Sequence, residues 1–485
     1  MVSRSTFPAG LELEARKAAP MRQPLRAAPV PPLLVIALDQ GSGDAAQPLL
    51  KAGARVRVGT PVGRAVEETA VAVHSPVAGV VRGVEIRPVP GPAGEGACVV
   101  IENDGSDEIE GGYTSIDWPT LPPHELLAQV RNAGIAGLGG AAFPAHAKLA
   151  AARERAATHL VLNGAECEPW ICCDDALMRE RAADVVLGAR VMLHACGASR
   201  CTIAVEDDKP EAIAALTAAL AAIADPRIEL APLRAVYPAG AERQLLAAIT
   251  GLEVPHDALP PAIGLMCQNV GTAAAVARLV ATGQPLTRRI VTVTGSGIRQ
   301  PANLEARIGT PIADLIAACG GYDSEPLRLI AGGSMTGRAL ATDAVPLTQA
   351  VNCVFVATAA DLAMRGREMP CIRCGNCASV CPPGLLPQSL LRAIAAGDDG
   401  QVSRHGLADC IECGCCDYVC PSQIPLTARF RAAREERRQR LDERRRAADA
   451  RERFRRHEER LAAAADADRR AFEAARSRAR GERKD

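Results

Sequence analysis

Aromatic side chains are scarce in this chain of 485 residues: Phe, Trp and Tyr make up 2% of it, against 48% for hydrophobic residues of all kinds. The several cores that a chain of this length builds must therefore be packed from aliphatic and alanine side chains. Long apolar runs are also missing, since none approaches the ~20 residues that a membrane-spanning helix needs. The alanine-rich stretch Ala212–Ala224 fits a helix of a globular domain. We therefore expect any membrane association to be peripheral.

A surplus of either charge is absent too, because 56 Lys and Arg balance 56 Asp and Glu. This balance argues against general nucleic-acid binding. The charge is unevenly spread, since residues 429–485 hold 21 basic and 13 acidic residues. Met1–Gly10 has no apolar core, so we expect no secretory signal. The 18 cysteines then fit a reducing cytoplasm.

One cysteine pattern, Cys-x2-Cys-x2-Cys-x3-Cys-Pro, occurs twice in succession. Its members are Cys371, Cys374, Cys377 and Cys381 in the first run and Cys410, Cys413, Cys416 and Cys420 in the second run. Three thiolates on one loop hold three corners of a 4Fe-4S cluster, and in two-cluster ferredoxins the fourth comes from the other run. We therefore predict two 4Fe-4S clusters. Their ligands are Cys371, Cys374, Cys377 and Cys420 for one cluster and Cys410, Cys413, Cys416 and Cys381 for the other.

Two features of this pattern allow other interpretations. Cys415 stands beside Cys416, but only Cys416 repeats the x3 spacing before the Cys-Pro end. A pair of structural zinc sites is the alternative to clusters. Zinc sites usually combine two Cys-x2-Cys knuckles and need only four ligands per metal. Two quartets of the observed spacing favour iron–sulfur clusters.

The remaining patterns predict a multidomain chain of the α/β plus α+β class. Short alternating strands broken by Gly and Pro, such as Val71–Val81, indicate a barrel or sandwich between Pro31 and Asn103. This stretch resembles a lipoyl-type barrel. Its hairpin lacks the lysine that accepts a prosthetic group, so we favour a non-modified structural domain over a carrier. His74 then belongs to a turn and is not a ligand.

Further along, helical stretches alternate with short apolar runs at His159–Leu162, Cys201–Val205 and Ile228–Leu233. This βαβ rhythm is typical of a Rossmann-like α/β domain. A strand at Arg289–Gly295 and a helix near Ile312–Ala318 follow, and this part resembles a β-grasp (SLBB) module.

The tail after the cysteines is almost continuous Arg, Glu and Ala without Pro, which favours a long solvated helix. Leu441, Phe454, Leu461 and Phe472 are too sparse for a coiled-coil seam. The predicted segments are an extended N-terminal segment (1–30), a barrel-sandwich domain (31–118), an α/β domain (119–286), a β-grasp domain (287–350), a two-cluster ferredoxin-like domain (360–428) and a charged helical tail (429–485).

A glycine-rich loop at Gly134–Pro144 precedes a helical stretch that carries Lys148. Glycines let backbone N–H groups approach a phosphate closely, and the helix N-terminus adds a favourable dipole. Lys148 is placed to reach the same phosphate. Taken alone, such a loop is equally compatible with a purely structural turn.

A short strand, Leu160–Asn163, runs directly into Glu166 and Glu168. In open α/β sheets, ligands lie at the carboxyl ends of the strands. A carboxylate pair there is suited to accept hydrogen bonds from ribose hydroxyls or an amide. The alternative is a solvated turn with ordinary charges.

Four motifs resemble the FMN- and NADH-binding motifs of the flavoprotein subunit of respiratory complex I. They are Gly137-x-Gly139-Gly140-Ala141-x-Phe143-Pro144 with Lys148, Asn163-x2-Glu166-x-Glu168-Pro169, Tyr237–Glu242 and Gln268–Thr272. The barrel, these four motifs, the β-grasp module and the double cysteine run follow one another along the chain. In this order the chain is similar to the C subunit of the Rnf (Rsx) electron transport complex over nearly its whole length.

This resemblance implies a peripheral subunit on the cytoplasmic face of the bacterial inner membrane, in an ion-translocating complex. It implies FMN and two 4Fe-4S clusters as cofactors and NADH as substrate. The implied partners are the membrane subunits, the iron–sulfur B subunit, and ferredoxin or flavodoxin downstream. The implied FMN-binding residues are Gly137, Gly139, Gly140, Lys148, Asn163 and Asn269, with Glu242 near the flavin. The implied catalytic positions are Glu166, between flavin and nicotinamide, and Glu168, which binds NADH together with Phe143.

The chain departs from the family pattern at three places, one of which is Cys415, where the family usually has a small residue that is not a ligand. Ala142 replaces a usual Gly, which is tolerable if Ala142 keeps a negative φ. Leu11–Leu13 stands where the family has His-Pro-Pro, which bears on N-terminal contacts and not on the electron path.

Two other functions are compatible with these features. One is the flavoprotein subunit of a soluble NAD-linked dehydrogenase or hydrogenase, and the other is an iron–sulfur scaffold without enzymatic activity. The basic tail suits anionic lipid or an acidic partner, or is simply a solvated helix.

Overall fold

The computed structural model describes residues 7, 9–41, 44–91, 93–324, 326–362 and 366–481. The expectation of no secretory signal in Met1–Gly10 falls mostly outside these residues, as does the end of the charged tail, 482–485. The chain divides into two compact units. The first comprises 1–386 and 413–424, and the second comprises 387–412 and 425–485.

The N-terminal segment is not extended throughout. It contains one helical turn, α1 (Ala18–Met21), and a two-residue strand, β1 (Arg26–Ala27). The buried Lys17 precedes the turn and donates a hydrogen bond to the carbonyl of Glu166, so this segment is anchored on the α/β domain.

The predicted barrel-sandwich domain consists of two sheets around one valine-rich core. Its strands are β2 (Leu33–Ala37), β3 (Gln47–Pro48), β4 (Arg55–Val56), β5 (Pro61–Arg64), β6 (Val73–His74), β7 (Gly79–Pro88) and β8 (Glu95–Asn103). The sheet orders are β2-β8-β7-β4 and β3-β5-β6. Leu34 and Val99 from one sheet meet Val62 and Val73 from the other in this core. His74 ends β6 and is buried, so it does not lie in a turn, and burial lowers its pKa to about 4.

The α/β domain is built on a parallel sheet of order β11-β10-β9-β12. Its strands are β9 (His159–Gly164), β10 (Arg200–Glu206), β11 (Ile228–Leu233) and β12 (Leu265–Asn269). Its helices are α2 (Pro123–Asn132), α3 (Ala145–Glu154), α4 (Cys173–Glu180), α5 (Ala182–Cys196), α6 (Pro210–Ile223), α7 (Glu242–Thr250) and α8 (Val270–Thr282), with a 3-10 turn at Pro260–Ile263. Leu160 and Leu162 pack into one core and Val161 into another, because helices cover both faces.

The β-grasp domain follows with one helix on a mixed sheet. Its elements are β13 (Arg288–Thr294), β14 (Ala302–Arg307), α9 (Ile312–Ala318), β15 (Arg328–Ala331), β16 (Arg338–Leu340) and β17 (Cys353–Ala357). The sheet order is β1-β14-β13-β17-β15-β16, so the N-terminal strand β1 adds an edge through parallel pairing with β14.

The C-terminal part is helical. Its elements are α10 (Asn376–Ser379), α11 (Pro387–Ala395), α12 (Asp399–Arg404), a 3-10 turn at Leu407–Asp409, α13 (Cys415–Tyr418) and α14 (Leu426–Gly481). The second unit has a small core of its own, in which Leu390, Val402, Leu407 and Phe430 are buried.

The predicted long helix of the tail is present as α14. The apolar side chains in its distal part, Leu441, Phe454, Leu461 and Phe472, are 58–68% exposed. In the part of the chain that the structure describes, no helix is both long and apolar enough to cross a membrane.

Candidate flavin and iron–sulfur sites

The glycine-rich loop is a closed turn between α2 and α3. The Gly137 N–H donates a hydrogen bond to the carbonyl of Phe143 at 2.8 Å, and Ala136 pairs with Pro144 across the turn. Phe143 itself is 37% exposed. Gly140 has a φ of +104°, where a side chain is strained, and a methyl group built on it meets no atom within 4 Å.

The tip of this loop offers three backbone N–H donors. Among the described residues, the N–H groups of Gly139, Gly140 and Ala141 have no hydrogen-bond partner. They lie just before the N-terminus of α3, where the helix dipole favours an anion. The donors and the open space at Gly140 fit a flavin phosphate.

Ala142 has a φ of +49°, so the expected condition of a negative φ is not met. The side chain is buried in a small cluster with Val71, Ala136 and Ala350. It also lies against Gly41 of the barrel domain, where any side chain would overlap the Ala142 methyl group. Packing against the barrel thus holds the loop in a conformation that usually favours glycine.

Lys148 projects from α3 and forms an ion pair with Glu242, 2.6 Å between Nζ and Oε2. Burial lowers the pKa of the Lys148 ammonium, but the Glu242 carboxylate outweighs that effect and raises the pKa overall. The structure therefore brings these two predicted flavin-site residues together, with Glu242 as the partner of Lys148.

Asn163 is the penultimate residue of β9 and Asn269 is the last residue of β12, and the two are directly paired in register at the ends of these adjacent strands. Asn163 accepts a hydrogen bond from the Ala165 N–H at 3.1 Å and donates one to the Gly240 carbonyl at 2.8 Å. Asn269 caps α8 by accepting a hydrogen bond from the Gly271 N–H at 2.8 Å. A methyl group on Gly139 would lie 3.3 Å from the Cβ of Asn269, so the loop tip and the strand ends form one site.

Glu166 adopts a φ of +52° and turns its carboxylate back toward α4. It accepts hydrogen bonds from the N–H groups of Asp174 at 2.7 Å and Asp175 at 3.1 Å. Its carboxylate, the Cys173 thiol and the Asp174 carboxylate lie within 4.8 Å of one another. The predicted catalytic position is thus a compact acidic site at the end of β9.

Asp174 is a site residue that the sequence reasoning missed. Its Oδ2 accepts a hydrogen bond from Asn269 Nδ2 at 2.6 Å, and Asn269 is a predicted flavin ligand. Burial, and then the nearby Glu166 carboxylate, raise the pKa of Asp174 to about 7. The acidic pair that follows Cys172-Cys173 was the available signal, but only the fold shows which strand end it faces.

Glu168 is directed to a different place, the loop between β15 and β16 of the β-grasp domain. Its carboxylate accepts hydrogen bonds from the Met335 N–H at 2.7 Å, the Thr336 N–H at 2.8 Å and the Thr336 hydroxyl at 2.6 Å. Any side chain on Gly333 would overlap this carboxylate. Glu168 thus joins the α/β domain to the β-grasp domain beside the predicted nucleotide site.

The two cysteine runs share one local backbone. In each, a left-handed residue (Arg373 or Glu412) is followed two residues later by a glycine with positive φ (Gly375 or Gly414). A four-residue helix then begins, α10 in one run and α13 in the other. Such tight repeated turns suit a cysteine set that wraps a cluster.

The repeat also shows how Cys415 and Cys416 correspond to the first run. Cys416 is the second residue of α13, as Cys377 is of α10, whereas Cys415 occupies the position of Asn376. Cys415 is fully buried and Cys416 is half-buried. Cys371 and Cys374 are exposed. Cys410 belongs to the second unit, where Arg434 donates a hydrogen bond to its carbonyl.

Four family models match successive parts of the chain. They are the RnfC barrel sandwich hybrid domain over 5–106, the Nuo51 FMN-binding domain over 130–278, the SLBB domain over 290–339 and the 4Fe-4S dicluster domain over 370–424. These matches define a protein that combines a barrel sandwich hybrid domain, an FMN-binding domain, an SLBB domain and a 4Fe-4S dicluster domain, and they confirm the predicted fold class.

Curated relatives give the particular family. The chain is 43% identical to a protein of Pseudomonas aeruginosa, and the match covers 95% of this chain and 59% of that protein. It is 39% identical to a protein of Rhodobacter capsulatus, and the match covers 88% of this chain and 82% of that protein. A protein of Vibrio cholerae is 40% identical, and the match covers 79% of this chain and 49% of that protein. All three are named as the C subunit of an ion-translocating oxidoreductase complex. The chain belongs to this family of C subunits, which confirms the resemblance drawn from its motifs.

The relatives differ from this chain in extent. The chain spans 59% of the Pseudomonas protein and 49% of the Vibrio protein. Among solved structures, an NAD+-reducing NiFe hydrogenase in its H2-reduced state matches with a TM-score of 0.43 and 20% identity, over 64% of this chain and 59% of that one.

Proposed function

We propose that this chain exchanges a hydride between NADH and a bound FMN and passes the electrons singly through two 4Fe-4S clusters. The observation that carries the proposal is the loop tip at Gly139–Ala141, whose N–H groups have no partner in the described part of the chain and lie beside the paired strand ends Asn163 and Asn269. When bound, FMN accepts two electrons as a hydride and releases them one at a time, which connects NADH chemistry to iron–sulfur chemistry.

The protein's own part in this reaction is binding and orientation. Gly137, Gly139 and Gly140 let the backbone approach the flavin phosphate, and Lys148 adds a cation beside it. Asn163 and Asn269 place amide groups at the strand ends. In this proposal Glu166 lies between flavin and nicotinamide, whereas Glu168 and Phe143 border the NADH-binding side.

The cluster ligands in this proposal are the two crossed quartets. One is Cys371, Cys374, Cys377 and Cys420, and the other is Cys410, Cys413, Cys416 and Cys381. The repeated backbone turn of the two runs supports them. A structural zinc site needs only four ligands, whereas the two runs together supply eight cysteines in quartets of the same spacing.

The proposed setting is the cytoplasmic face of the bacterial inner membrane, in contact with the membrane subunits and the iron–sulfur B subunit of an Rnf complex. The names of the Pseudomonas and Rhodobacter relatives, each the C subunit of an ion-translocating oxidoreductase complex, support this assignment. Ferredoxin or flavodoxin would be the downstream partner. The basic residues of α14 suit anionic lipid or an acidic protein surface. A soluble flavoprotein subunit would instead be absent from washed membranes of the native cell.

The test is anaerobic purification of the chain, followed by measurement of bound flavin and iron, then addition of NADH with visible and EPR spectra. We expect about one flavin and about eight iron atoms per chain, with flavin bleaching and reduced-cluster signals after NADH. A Gly140→Ala variant should lose flavin and keep its iron. Eight iron atoms without flavin, and no response to NADH, would leave only an iron–sulfur relay.

A further inference from the structure

Tyr237 joins a flavin-side segment to a cluster loop. Its hydroxyl donates a hydrogen bond of 2.6 Å to the backbone carbonyl of Cys413, a predicted ligand in the second cysteine run. The side chain is 3% exposed, and its segment continues to Gly240 and Glu242 of the predicted flavin site. This connection was not visible in the sequence, because 176 positions separate the two residues.

Two hydrogen bonds to Leu11 also hold the backbone of Tyr237 in place. The Leu11 N–H donates to the Tyr237 carbonyl at 2.8 Å, and the Tyr237 N–H donates to the Leu11 carbonyl at 2.9 Å. The N-terminal segment therefore clamps the residue whose hydroxyl holds the cluster loop. A phenol held in this way is a rigid support for the Cys413 carbonyl.

A second contact places the same cluster loop beside the loop that binds the Glu168 carboxylate. A methyl group placed on Gly414 would lie 3.5 Å from the Met335 carbonyl oxygen and 3.6 Å from its Cε, so Met335 lies against this loop. The Met335 N–H donates to Glu168. Cys371 and Cys374 of the first run are exposed instead.

We propose that Tyr237 is a positioning residue that holds the second cysteine run, through Cys413, against the flavin-side segments and so makes the cluster of that run the electron entry point. This inference rests on the proposed function. Each hydride brings two electrons; each of the two clusters is reduced by one of them, and one proton is released to solvent. Tyr237 takes no part in proton transfer.

The hydroxyl also affects the reduction potential of that cluster. The Tyr237 hydroxyl donates to the Cys413 carbonyl and not to the sulfur, so it acts by offsetting the negative end of a carbonyl dipole beside the more negative, reduced cluster, and this effect is larger in a buried site. Removing the donor should therefore make the potential of one cluster more negative. The other cluster should keep its potential, because its exposed ligands Cys371 and Cys374 are not held by Tyr237.

The experiment compares Tyr237→Phe with the unmodified chain in EPR-monitored redox titrations under anaerobic conditions. Cys374→Ser and Cys416→Ser variants first show which signal belongs to which run. We expect a negative shift of the signal that Cys416→Ser perturbs, and about tenfold slower cluster reduction after NADH. The matched control is Tyr113→Phe, since Tyr113 also donates to a backbone carbonyl, that of Gly59 at 2.8 Å in the barrel.

The outcomes separate this inference from the proposed function. The role of Tyr237 is overturned if Tyr237→Phe shifts the signal that Cys374→Ser perturbs, or shifts neither signal. NADH-dependent reduction of the clusters would still stand in that case. If the unmodified chain holds no flavin or clusters, the proposed function itself fails. If Tyr237→Phe loses iron, a fluorinated tyrosine at position 237 provides the second test. Its more acidic hydroxyl is a stronger donor and should shift the same signal in the positive direction, and no shift would overturn the inference.

Discussion

Lys148 and Glu242 form an ion pair of 2.6 Å, although they lie 94 positions apart in the sequence. Both belong to the predicted flavin site, one on α3 and the other at the start of α7. The Glu242 carboxylate therefore already pairs with the Lys148 ammonium group, which the sequence analysis assigns to the flavin phosphate. A bound phosphate would share Lys148 with Glu242 or replace it, which ties flavin binding to the stability of this pair.

The first prediction concerns Glu242→Gln. Without flavin, this change leaves the Lys148 ammonium without its carboxylate and should lower the free energy of unfolding by about 1 kcal/mol. The loss is modest because both side chains are partly exposed and solvent screens the pair. Saturating FMN should restore most of the loss, because the phosphate supplies the missing negative charge. Thermal unfolding with and without FMN measures both effects.

The control for this prediction is Glu85→Gln, which removes an exposed ion pair with Arg87 in the barrel. Its effect should be small and the same with and without FMN. An equal loss of stability for Glu242→Gln in both conditions would show that Lys148 does not meet the flavin phosphate.

The second prediction uses the raised pKa of Asp174, about 7 against an ordinary value of 3.8. Between these values the folded state binds a proton that the unfolded state has released, so this group lowers stability as pH rises from about 4 to about 7. Asp174→Asn should therefore gain stability relative to the unmodified chain across this window, by about 1–2 kcal/mol at pH 8. Asn keeps an oxygen that can accept the hydrogen bond from Asn269.

Denaturant unfolding at pH 5 and pH 8 measures this difference. Asp175 and Glu206, whose pKa values burial raises to about 6 and about 7, titrate in the same window, so only the difference between variant and parent isolates Asp174. The control is Asp314→Asn on α9 outside the site, where burial also raises the pKa but no neighbouring carboxylate adds to the effect, so its pH-dependent gain should be smaller. A difference that is the same at both pH values would argue that Asp174 is ionised throughout.

The α/β domain could be predicted because its central strands β9 and β10 are short apolar runs that are buried on both faces. The runs at His159, Cys201 and Ile228 appear as β9, β10 and β11, and the β-grasp helix Ile312–Ala318 has the predicted bounds. The fourth strand, β12, was missed because Leu265–Asn269 has no β-branched residue and therefore weak strand character.

The site could be predicted only as a set of motifs. The sequence indicated Lys148, Glu166 and Glu168, but not that each is already engaged by a partner within the protein. Lys148 pairs with Glu242, which is 94 positions away, and Glu168 accepts from the Met335–Thr336 loop of the β-grasp domain. Glu166 accepts from the start of α4, eight and nine positions on, through a left-handed turn that the residue pattern does not reveal. Local pattern carries no information on the long-range pairings, and for the same reason Asp174 and Tyr237 had no predicted role.

The third prediction concerns the two left-handed positions of the glycine loop. Gly140→Ala places a methyl group at a φ of +104° and should destabilise the chain by about 1–2 kcal/mol. Ala142→Gly relieves strain of similar size at +49° but removes a buried methyl group, so the net change should stay within about 0.5 kcal/mol. Urea unfolding of both variants tests this.

The adjacent Ala141→Gly serves as the control for the loop, because Ala141 is exposed and is not among the residues of positive φ. It should lose roughly 0.5–1 kcal/mol from added freedom of the unfolded chain. A loss as large in Ala142→Gly would mean that the packing of its methyl group against the barrel outweighs the backbone strain.

The fourth prediction separates Cys415 from Cys416. Cys416 has the position in α13 that Cys377 has in α10, so Cys416→Ser should remove one cluster ligand and leave about four to six iron atoms per chain. Cys415→Ser should keep about eight, because serine is close in size and Cys415 matches Asn376 in the first run. Iron analysis with EPR of the reduced protein measures both. The reverse result would make Cys415 the ligand, and the second run would then have x1 and x4 spacings in place of the x2 and x3 spacings of the first.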